Sequence, residues 1–253
     1  MGNRTRLKTF SRLVSLFKEH HSIKTSKGEI LFRVDSPGSV PQDPKSNRSE
    51  PETFEWIDVY LKPNQVLWDI GANVGVFSLF AALEGKNQVV ALEPSAESFA
   101  TLNANIRLNK LDKYISAFCF AGASNTQMMK LFMKDASSGA SHNSIKTAEN
   151  QFGNFDVNGE QAIIAISLDD LIGLFNIPAP DHIKLDVDGK EPEILKGARE
   201  TLKKIETIHI EVEGKNLTDN ISFIESSLLD AGLTEDKSWR NKGSGRNRLF
   251  KRA

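Results

Sequence analysis

The sequence predicts an α/β domain with a mostly parallel β-sheet, and three observations indicate this fold class. Short apolar segments of strand length alternate with segments of helical periodicity. One predicted strand runs directly into a glycine-rich turn that begins a helix. The chain has 253 residues, 39% of them hydrophobic, which is enough for a sizeable core. Strands separated by helices are expected to pair in parallel through right-handed crossovers.

The N-terminal part of the chain does not share this alternation. Residues 4–18 place apolar side chains at helical spacing between basic ones, namely Leu7, Phe10, Leu13, Val14 and Phe17. Such a basic amphipathic helix suits either docking on its own domain or peripheral contact with an anionic membrane. We therefore predict a basic, helical extension over residues 1–34. Residues 35–51, rich in Pro, Ser and Asp, are predicted to form a linker.

The predicted domain covers residues 52–253. Its strands are expected at residues 66–70, 88–92, 115–120, 183–187 and 207–212, with a final edge strand at 248–251, and its helices at 53–60, 76–83, 98–109, 191–202 and 221–231. Two further strand patterns, at 128–133 and 161–167, flank a polar segment rich in Gly, Ser and Asn. We predict an inserted β-hairpin over about 128–167, whose long loop at 135–159 acts as a lid.

The formal net charge of −1 combines two basic ends with an acidic body. Residues 1–28 carry seven Lys/Arg and one acid, and residues 237–253 carry seven and none, so residues 29–236 hold a net charge of −14. A nucleic-acid partner is disfavoured, because such enzymes usually spread positive charge around the active face. The chain has neither an apolar run of membrane-spanning length nor a signal-peptide core, so we predict a cytoplasmic protein whose membrane contact is limited to the N-terminal helix.

The glycine turn lies in residues 66–75, VLWDIGANVG. Glycines at 71 and 75 let the backbone turn sharply and approach a ligand closely. The amino terminus of the following helix favours a carboxylate or a phosphate. The dinucleotide spacing G-x-G-x-x-G is not met, because Asn73 and Val76 occupy its second and third glycine positions.

Glu93 follows the second predicted strand. An acid at this position is placed to accept hydrogen bonds from both ribose hydroxyls of an adenosine. Together with a turn that lacks the dinucleotide spacing, it indicates an adenosine ligand without a pyrophosphate, which describes S-adenosylmethionine. The alternative is a tight structural turn with a solvated Glu93.

Four segments resemble the FkbM family of methyltransferases: DIGANVGVFS, ALEPSAESFATLNANIRLN, SLDDL and IKLDVDGKEPEILKGARETL. The resemblance runs with gaps from about residue 52 to 213. It implies a Rossmann-like class I methyltransferase fold, S-adenosylmethionine as methyl donor, and O-methylation of a hydroxyl on a sugar, a glycan or a small natural product. This chain departs from the family pattern at Asp188, where Glu is more frequent, and at Ala96, where a second Pro is usual.

The resemblance also implies a set of cofactor-binding residues. The methionine end of the cofactor would contact Asp69, Gly71, Ala72, Asn73 and Gly75, and the ribose would contact Glu93. Ala121, directly after the third predicted strand, completes this set.

Polar side chains are predicted at the carboxyl ends of two later strands. Lys184 and Asp186 alternate onto one face of the first strand. The next strand places three polar side chains on one face, namely His209, Glu211 and Glu213. Because ligands bind at this edge of a doubly wound sheet, we predict that Asp186 borders the methyl group and orients the acceptor hydroxyl or takes its proton. A buried ion-pair network that only fixes the strands, with Lys184 against Asp186 or Glu211, is the alternative.

Two further features of the sequence bear on the chemistry at this edge. His142, on the predicted lid, is a second candidate base, although an exposed loop histidine usually has no such role. The acids Asp186, Asp188, Glu211 and Glu213 have the hard oxygen atoms that Mg²⁺ prefers, but their spacing does not demand a metal, and none is predicted.

Three functions other than O-methylation are alternatives for this sequence. A nicotinamide-dependent oxidoreductase would need the third glycine and usually a catalytic Tyr or His, yet neither Tyr60 nor Tyr114 lies in a Tyr-x-x-x-Lys arrangement. A nucleic-acid amino-methyltransferase would carry an Asn/Asp-Pro-Pro-aromatic turn where this chain reads DVDG. A non-catalytic S-adenosylmethionine-binding protein is the third alternative.

Overall fold

A seven-stranded β-sheet lies at the centre of the structure, a computed structural model that describes residues 20–46, 49–141, 143–145, 149–150, 153–212 and 217–252. Helices pack on both faces of this sheet, and the predicted α/β fold is confirmed. The helix predicted over residues 4–18 lies outside the described residues. No helix within the described ranges is both long and apolar enough to span a membrane.

The described strands are β1 (His20–Thr25), β2 (Gly28–Arg33), β3 (Val66–Ile70), β4 (Gln88–Leu92), β5 (Ile115–Phe118), β6 (Phe120–Gly122), β7 (Gln127–Met133), β8 (Ser144–Ile145), β9 (Glu149–Asn150), β10 (Gly153–Asn154), β11 (Gly159–Ile166), β12 (His182–Leu185), β13 (Thr207–Glu211), β14 (Leu233–Glu235) and β15 (Asn247–Arg252). The α-helices are α1 (Pro51–Tyr60), α2 (Val76–Ala82), α3 (Ala96–Leu108), α4 (Leu168–Phe175), α5 (Glu191–Lys196), α6 (Arg199–Leu202) and α7 (Leu217–Asp230).

The order of strands across the central sheet is β14-β15-β13-β12-β3-β4-β5. All neighbours pair in parallel except β15, which is antiparallel to both β13 and β14. The chain builds the sheet outward in one direction from β3 and in the other from β12, so the direction of winding reverses between these two strands. Ligands of doubly wound sheets bind at such a switch point, beyond the carboxyl ends of the strands. The prediction that residues 248–251 form an edge strand is wrong, because β14 pairs with the outer side of β15.

Strands β3 and β4 are largely apolar on both faces, as expected for parallel strands covered by helices. In β3, Leu67 packs into the core layer on one face, while Trp68 and Ile70 pack into the layer on the other. The polar exception in β3 is Asp69, which is fully buried. A buried carboxylate destabilises the fold unless it is paired, so Asp69 requires partners inside the protein.

The predicted inserted hairpin is present as β7 and β11, which pair antiparallel. Strands β6 and β8 join them in a four-stranded sheet. The strand predicted at 115–120 is divided, because the chain leaves the large sheet after Phe118 and enters the small one at Phe120. The helix predicted at 191–202 is likewise divided into α5 and α6 at Gly197, where a β-carbon would lie 2.3 Å from the carbonyl oxygen of Ala123.

A β-hairpin that the sequence analysis did not predict precedes the expected domain start. Strands β1 and β2 pair antiparallel, and Ile23, Ile30 and Phe32 are buried in the main core. The backbone N–H of Leu31 donates to the side chain of Asn109, the residue that caps the end of α3, at 2.9 Å, and that of Arg33 donates to Asn105 on α3 at 2.8 Å. The described part of the N-terminal extension is therefore packed on the domain and contributes to its core.

Candidate active site

A cavity of about 510 Å³ opens at the carboxyl ends of β3, β4 and β12, at the switch point of the sheet. Five groups of residues line it: the turn after β3, the loop after β4, strand β6, the loop after β12, and a roof contributed by the predicted linker and lid. They include Ile70 to Val74, Leu92 to Ser95, Phe120 to Gly122, Asp186 to Asp188, Pro37, Gly38, Val40 to Gln42, and Gly139 to Ser141.

The turn after β3 depends on two glycines with positive φ. Gly71 has φ +85°, and a β-carbon there would lie 1.9 Å from the carbonyl oxygen of Asp186. Gly75 has φ +94°, and a β-carbon there would lie 2.4 Å from the Leu102 side chain. These glycines permit the turn to pack directly against the loop after β12 and against α3. Asn73, between them, also has a left-handed backbone, with φ 51°.

Glu93 connects this turn to the loop after β4. Its Oε2 accepts from the Asn73 N–H at 2.8 Å and its Oε1 accepts from the Ser95 N–H at 2.8 Å. The side chain lines the cavity and is buried, so it is not a solvated surface acid. Burial raises the pKa of Glu93 to about 7, against the opposing effect of the two backbone hydrogen bonds.

Asp69 lies behind the cavity wall rather than among the residues that line it. Ser78 Oγ donates to its Oδ2 at 2.5 Å, and Lys184 Nζ lies 3.8 Å from its Oδ1. Burial raises the pKa of Asp69, and the nearby Lys184 and Ser78 oppose that rise. Asp69 therefore lies against the ammonium group of Lys184 at the base of the cavity. The other predicted cofactor residues that line the cavity are Gly71, Ala72, Asn73, Glu93 and Ala121.

Lys184 and Asp186 form the charged centre of the cavity. Lys184 Nζ lies 3.0 Å from Asp186 Oδ2 and 5.1 Å from the centre of the Phe77 ring. Burial alone would lower the pKa of Lys184, but the carboxylates around it raise the pKa above its ordinary value. Burial is the largest single influence on Asp186 and opposes its ionisation, but Lys184, together with Glu211 and Arg246, outweighs it, so the pKa of Asp186 is lowered. The cavity thus contains an ionised carboxylate that is paired with a cation and 25% exposed.

Three residues behind Asp186 extend this network. Asp186 and Glu211 follow neighbouring strands at the same level, because Leu185 lies opposite Ile210, and Glu211 is one of the groups that lower the pKa of Asp186. Arg246 lies 3.4 Å from Glu211 through Nη1 and donates to Glu50 through Nη2 at 2.9 Å. Burial and the charge of Asp186 raise the pKa of Glu211 to about 10, and burial is also the main cause that raises the pKa of Glu50 to about 7. Glu50 and Arg246 were not predicted as parts of the site.

His209, which the sequence analysis placed on the same face, does not line the cavity. It is buried, stacks on Trp56 with ring centres 5.1 Å apart, and contacts Trp239 edge-on. Neither ring nitrogen has a hydrogen-bond partner among the described residues. Burial, aided by Lys184, lowers the pKa of His209 to about 3, so the ring is neutral.

Two of the predicted polar residues, His142 and Glu213, lie outside the described residues. Within the described part of the chain, no group of three or more His, Cys, Asp or Glu side chains has an arrangement able to hold a metal ion. Asp188, which has positive φ of 57°, lines the cavity beside Asp186.

The roof of the cavity is a contact between the predicted linker and the predicted lid. Ser36 Oγ donates to the Ser138 carbonyl oxygen, and Ser138 Oγ donates to Thr101 Oγ1 at 2.7 Å. Gly38 and Gly139 meet backbone to backbone, so closely that a β-carbon at Gly139 would lie 2.1 Å from the Gly38 carbonyl oxygen. We call residues 36–39 and 138–140 together the clasp.

The groups that line the cavity fit the predicted S-adenosylmethionine. Each Glu93 oxygen accepts one backbone hydrogen bond and has capacity for another, which suits the two hydroxyls of a ribose. The side-chain oxygen of Asn73 is buried without a hydrogen-bond partner among the described residues, and such an atom calls for a donor. The α-ammonium group of the methionine end is a donor of this kind.

Comparison with known proteins decides the family. The model of the Methyltransferase FkbM domain matches residues 69–233, which is more than half of the chain. The chain belongs to the FkbM methyltransferase family. This membership confirms the resemblance found in the sequence, the enzyme class and S-adenosylmethionine as the cofactor. It gives no support to the nicotinamide-dependent alternative.

Relatives of this FkbM-family methyltransferase include two curated proteins. Hexuronic acid methyltransferase AglP from Haloferax volcanii is 27% identical over 197 residues, which cover 76% of each chain. The 31-O-demethyl-FK506 methyltransferase FkbM from Streptomyces tacrolimicus is 25% identical over 162 residues, or 56% of this chain and 62% of the relative. A solved structure from Clostridium thermocellum, proposed to be an rRNA methylase, shares the fold alone, with TM-score 0.51, 8% identity, and coverage of 83% of this chain and 97% of that one.

Proposed function

We propose that this FkbM-family methyltransferase methylates a hydroxyl oxygen of a sugar, a glycan or a small natural product. The observation that carries the proposal is that one cavity is lined by both Glu93 and the ionised Asp186. Hexuronic acid methyltransferase AglP and 31-O-demethyl-FK506 methyltransferase FkbM, as their names state, act on a sugar acid and on a natural product. By analogy with these relatives, the acceptor proposed for this chain belongs to one of these chemical classes.

In this proposal the cofactor lies across the ends of β3 and β4. Glu93 accepts hydrogen bonds from the ribose hydroxyls, and Asn73 Oδ1 accepts from the ammonium group of the methionine end. Gly71 and Ala72 line the cavity and would contact the methionine end, and Ala121, in the small sheet, would contact the cofactor from that side. When bound, S-adenosylmethionine supplies a methyl carbon on a positively charged sulfur, and its transfer breaks the carbon–sulfur bond and leaves a neutral thioether.

Asp186 is proposed to hold the acceptor. Its ionised carboxylate accepts a hydrogen bond from the acceptor hydroxyl, which orients an oxygen lone pair toward the methyl carbon. The lowered pKa makes Asp186 a weak base, so we assign it orientation of the hydroxyl and transient acceptance of the proton as the new oxygen–carbon bond forms. His142 remains the second candidate for the base.

The charge of Asp186 favours a hydroxyl over a carboxylate acceptor. A hydroxyl donates to an ionised carboxylate, whereas an acceptor carboxylate placed at the same point would meet a like charge. Lys184 does not reverse this preference, because its Nζ is buried and already contacts Asp186 and Asp69. The clasp closes the other side of the cavity and excludes water from the methyl donor.

The proposal is tested with tritium-labelled S-adenosylmethionine and a panel of methyl glycosides of neutral hexoses and of hexuronic acids. We expect labelled products that survive mild alkali, as methyl ethers do and methyl esters do not. Asp186→Asn should lower kcat with little change in the Kd of S-adenosylmethionine. Asp112→Asn, at an exposed position before β5, is the matched control. Alkali-labile products alone, or an unchanged kcat in Asp186→Asn, would contradict the proposal.

A further inference from the structure

We propose that Lys190 forms an anion-binding subsite for the acceptor, so that the enzyme prefers an acidic sugar, with a carboxylate or a phosphate ester, to a neutral one. Lys190 lines the cavity and is partly buried. The inference deepens the proposed function and rests on it, because it places the anionic group of the acceptor at Lys190 and the reacting hydroxyl at Asp186.

The charged residues that line the cavity differ in whether the protein already balances them. They are Glu93, Lys184, Asp186, Asp188 and Lys190. Lys184 Nζ lies 3.0 Å from a carboxylate oxygen of Asp186 and 3.8 Å from one of Asp69, so its charge is balanced within the protein. The ammonium group of Lys190 has neither an ion pair nor a hydrogen bond among the described residues. Of the two lysines that line the cavity, Lys190 is therefore the one whose charge is available to a ligand.

The loop after β12 fixes the place of Lys190 relative to Asp186. Glu191, buried at the start of α5, accepts through Oε1 from the backbone N–H groups of Val187 and Gly189, at 3.0 and 3.3 Å. The chain turns sharply between these two hydrogen bonds, because φ is positive at residue 188, with 57°, and at residue 189, with 93°. A loop that is bonded to a buried side chain at two points keeps its two ends at a fixed separation.

Asp186 and Lys190 are close enough to bind one acceptor molecule together. Lys190 follows Asp186 by four positions, and such a segment spans at most about 14 Å when fully extended. The turn at residues 188 and 189 shortens that distance, and both side chains belong to the lining of the same cavity. A sugar that donates a hydroxyl to Asp186 therefore has a second, charged group within reach of Lys190.

The two residues select opposite chemistry. The carboxylate of Asp186 accepts from a hydroxyl and repels an anion, whereas the ammonium group of Lys190 donates to an anion and attracts its charge. Hydrogen bonds of the second kind are shorter and about twice as strong as neutral ones. An acidic sugar is thus oriented with its anionic group at Lys190 and a hydroxyl at Asp186, which leaves the acid group itself unmethylated.

Three acceptors test this preference: a methyl hexoside, the corresponding methyl hexuronoside and the methyl hexoside 6-phosphate. We expect the wild-type kcat/KM to be about tenfold or more higher for an acidic glycoside than for the neutral one, as a hydrogen bond between charged groups predicts. A preference for the hexuronoside alone or for the phosphate alone supports the subsite and identifies its anion. High salt should reduce the preference, because it screens the attraction.

Substitutions at residue 190 assign the preference to its charge. Lys190→Gln should reduce kcat/KM for the acidic glycosides to about the value for the neutral one, mainly by raising KM, and Lys190→Arg should restore the preference. Lys196→Gln is the matched control, because Lys196 lies on the adjoining helix α5, pairs with Glu193 and is not among the residues that line the cavity. Equal wild-type values for acidic and neutral glycosides, or a preference that persists in Lys190→Gln, would overturn the inference.

Binding without turnover separates this inference from the proposed function. In calorimetry with S-adenosylhomocysteine, the demethylated cofactor, already bound, the preferred acidic glycoside should bind to Lys190→Gln about tenfold or more weakly than to the wild type. Weaker binding of S-adenosylmethionine itself to Lys190→Gln would assign Lys190 to the carboxylate of the cofactor and overturn the inference. Binding of an acidic glycoside that depends on Lys190, without methylation of a hydroxyl in any acceptor, would support the subsite and overturn the proposed function alone.

Discussion

Gly71 and the carbonyl oxygen of Asp186 are in such close contact that a β-carbon on residue 71 would lie 1.9 Å from that oxygen. The contact joins the turn that is proposed to hold the cofactor to the loop that is proposed to hold the acceptor. The distance between the two substrates is therefore set partly by a contact within the backbone.

We predict that Gly71→Ala disturbs both substrates at once. The alanine requires φ +85° and a displacement of the loop after β12, with an expected cost of about 2–4 kcal/mol in the free energy of unfolding. Calorimetric affinity for S-adenosylmethionine should fall. Gly232→Ala is the matched control, because Gly232 has φ +83° but its β-carbon would meet only the end of the Arg252 side chain. Equal effects of the two substitutions on affinity would argue against the contact as the cause.

Glu93 is expected to make cofactor binding depend on pH. Burial raises the pKa of Glu93 to about 7 in the protein without cofactor. Ribose hydroxyls donate to the ionised form of this carboxylate. Affinity for S-adenosylmethionine should therefore be full above pH 7 and decrease as pH falls below it, by about tenfold for each unit at the limit. Titration calorimetry from pH 6 to 8.5 measures this.

Glu93→Gln provides the comparison for that titration. The amide cannot ionise, and its NH2 group faces one of the backbone N–H donors of Asn73 and Ser95. We expect weaker binding at pH 8 and little variation with pH. A wild-type pH dependence in this variant would assign the effect to another group.

His209 is predicted to reduce stability. Its two ring nitrogens are buried without hydrogen-bond partners among the described residues, and such groups cost about 1–3 kcal/mol each. His209→Phe keeps the stacking on Trp56 and should raise the free energy of unfolding by about 1–2 kcal/mol at pH 7. His182→Phe should have the opposite effect, because His182 bonds to Thr207 at 2.8 Å and Gln65 at 2.9 Å.

The same substitution should alter the acid dependence of stability. The folded pKa of His209 is lowered to about 3, so between that value and 6.5 the unfolded state binds a proton that the folded state does not. Stability from this residue is lost as pH falls through that window. Urea unfolding at pH 7 and 5 should show a smaller loss for His209→Phe than for the wild type, and an equal loss would refute this account.

The clasp is predicted to control release of the cofactor. In Gly139→Ala, a β-carbon 2.1 Å from the Gly38 carbonyl oxygen would separate the two segments. We expect a faster dissociation rate of S-adenosylmethionine in stopped-flow measurements. Gly245→Ala imposes a similar backbone strain, with φ +73°, but its β-carbon would meet nothing within 4 Å. An unchanged dissociation rate in Gly139→Ala would mean that the clasp does not limit release.

Local signals in the sequence predicted the centre of the fold well. The bounds of β3 and β4 match the prediction, because a glycine turn ends the first and Glu93-Pro94 ends the second. The hairpin of β1 and β2 was not predicted, because its backbone N–H groups donate to the side chains of two asparagines more than 70 positions away in the sequence. The break of the predicted strand at Cys119 likewise depends on which sheet the chain pairs with. The break of the predicted helix at Gly197 depends on the carbonyl oxygen of Ala123 beside it.

Residues of the candidate site could be predicted from the sequence only where they lie at or near the end of a single predicted strand. Glu93 was found because it follows a predicted strand, and Asp186 was found through its alternation with Lys184 in the strand predicted at 183–187, which ends at Leu185 in the structure. Glu50 and Arg246 are separated by 196 positions, and no local spacing indicates that they meet. The state of Glu211 also depends on charges from several elements, which only the folded chain assembles.

Strand β15 follows β14 along the chain, yet it lies inside the sheet, between β13 and β14. A growing chain therefore exposes the open flank of β13 until synthesis has passed residue 252, and the guanidinium that anchors Glu211 arrives just before that strand. This flank of the sheet therefore cannot close until β15 has been synthesised, although β13, the strand on its inner side, comes much earlier in the chain.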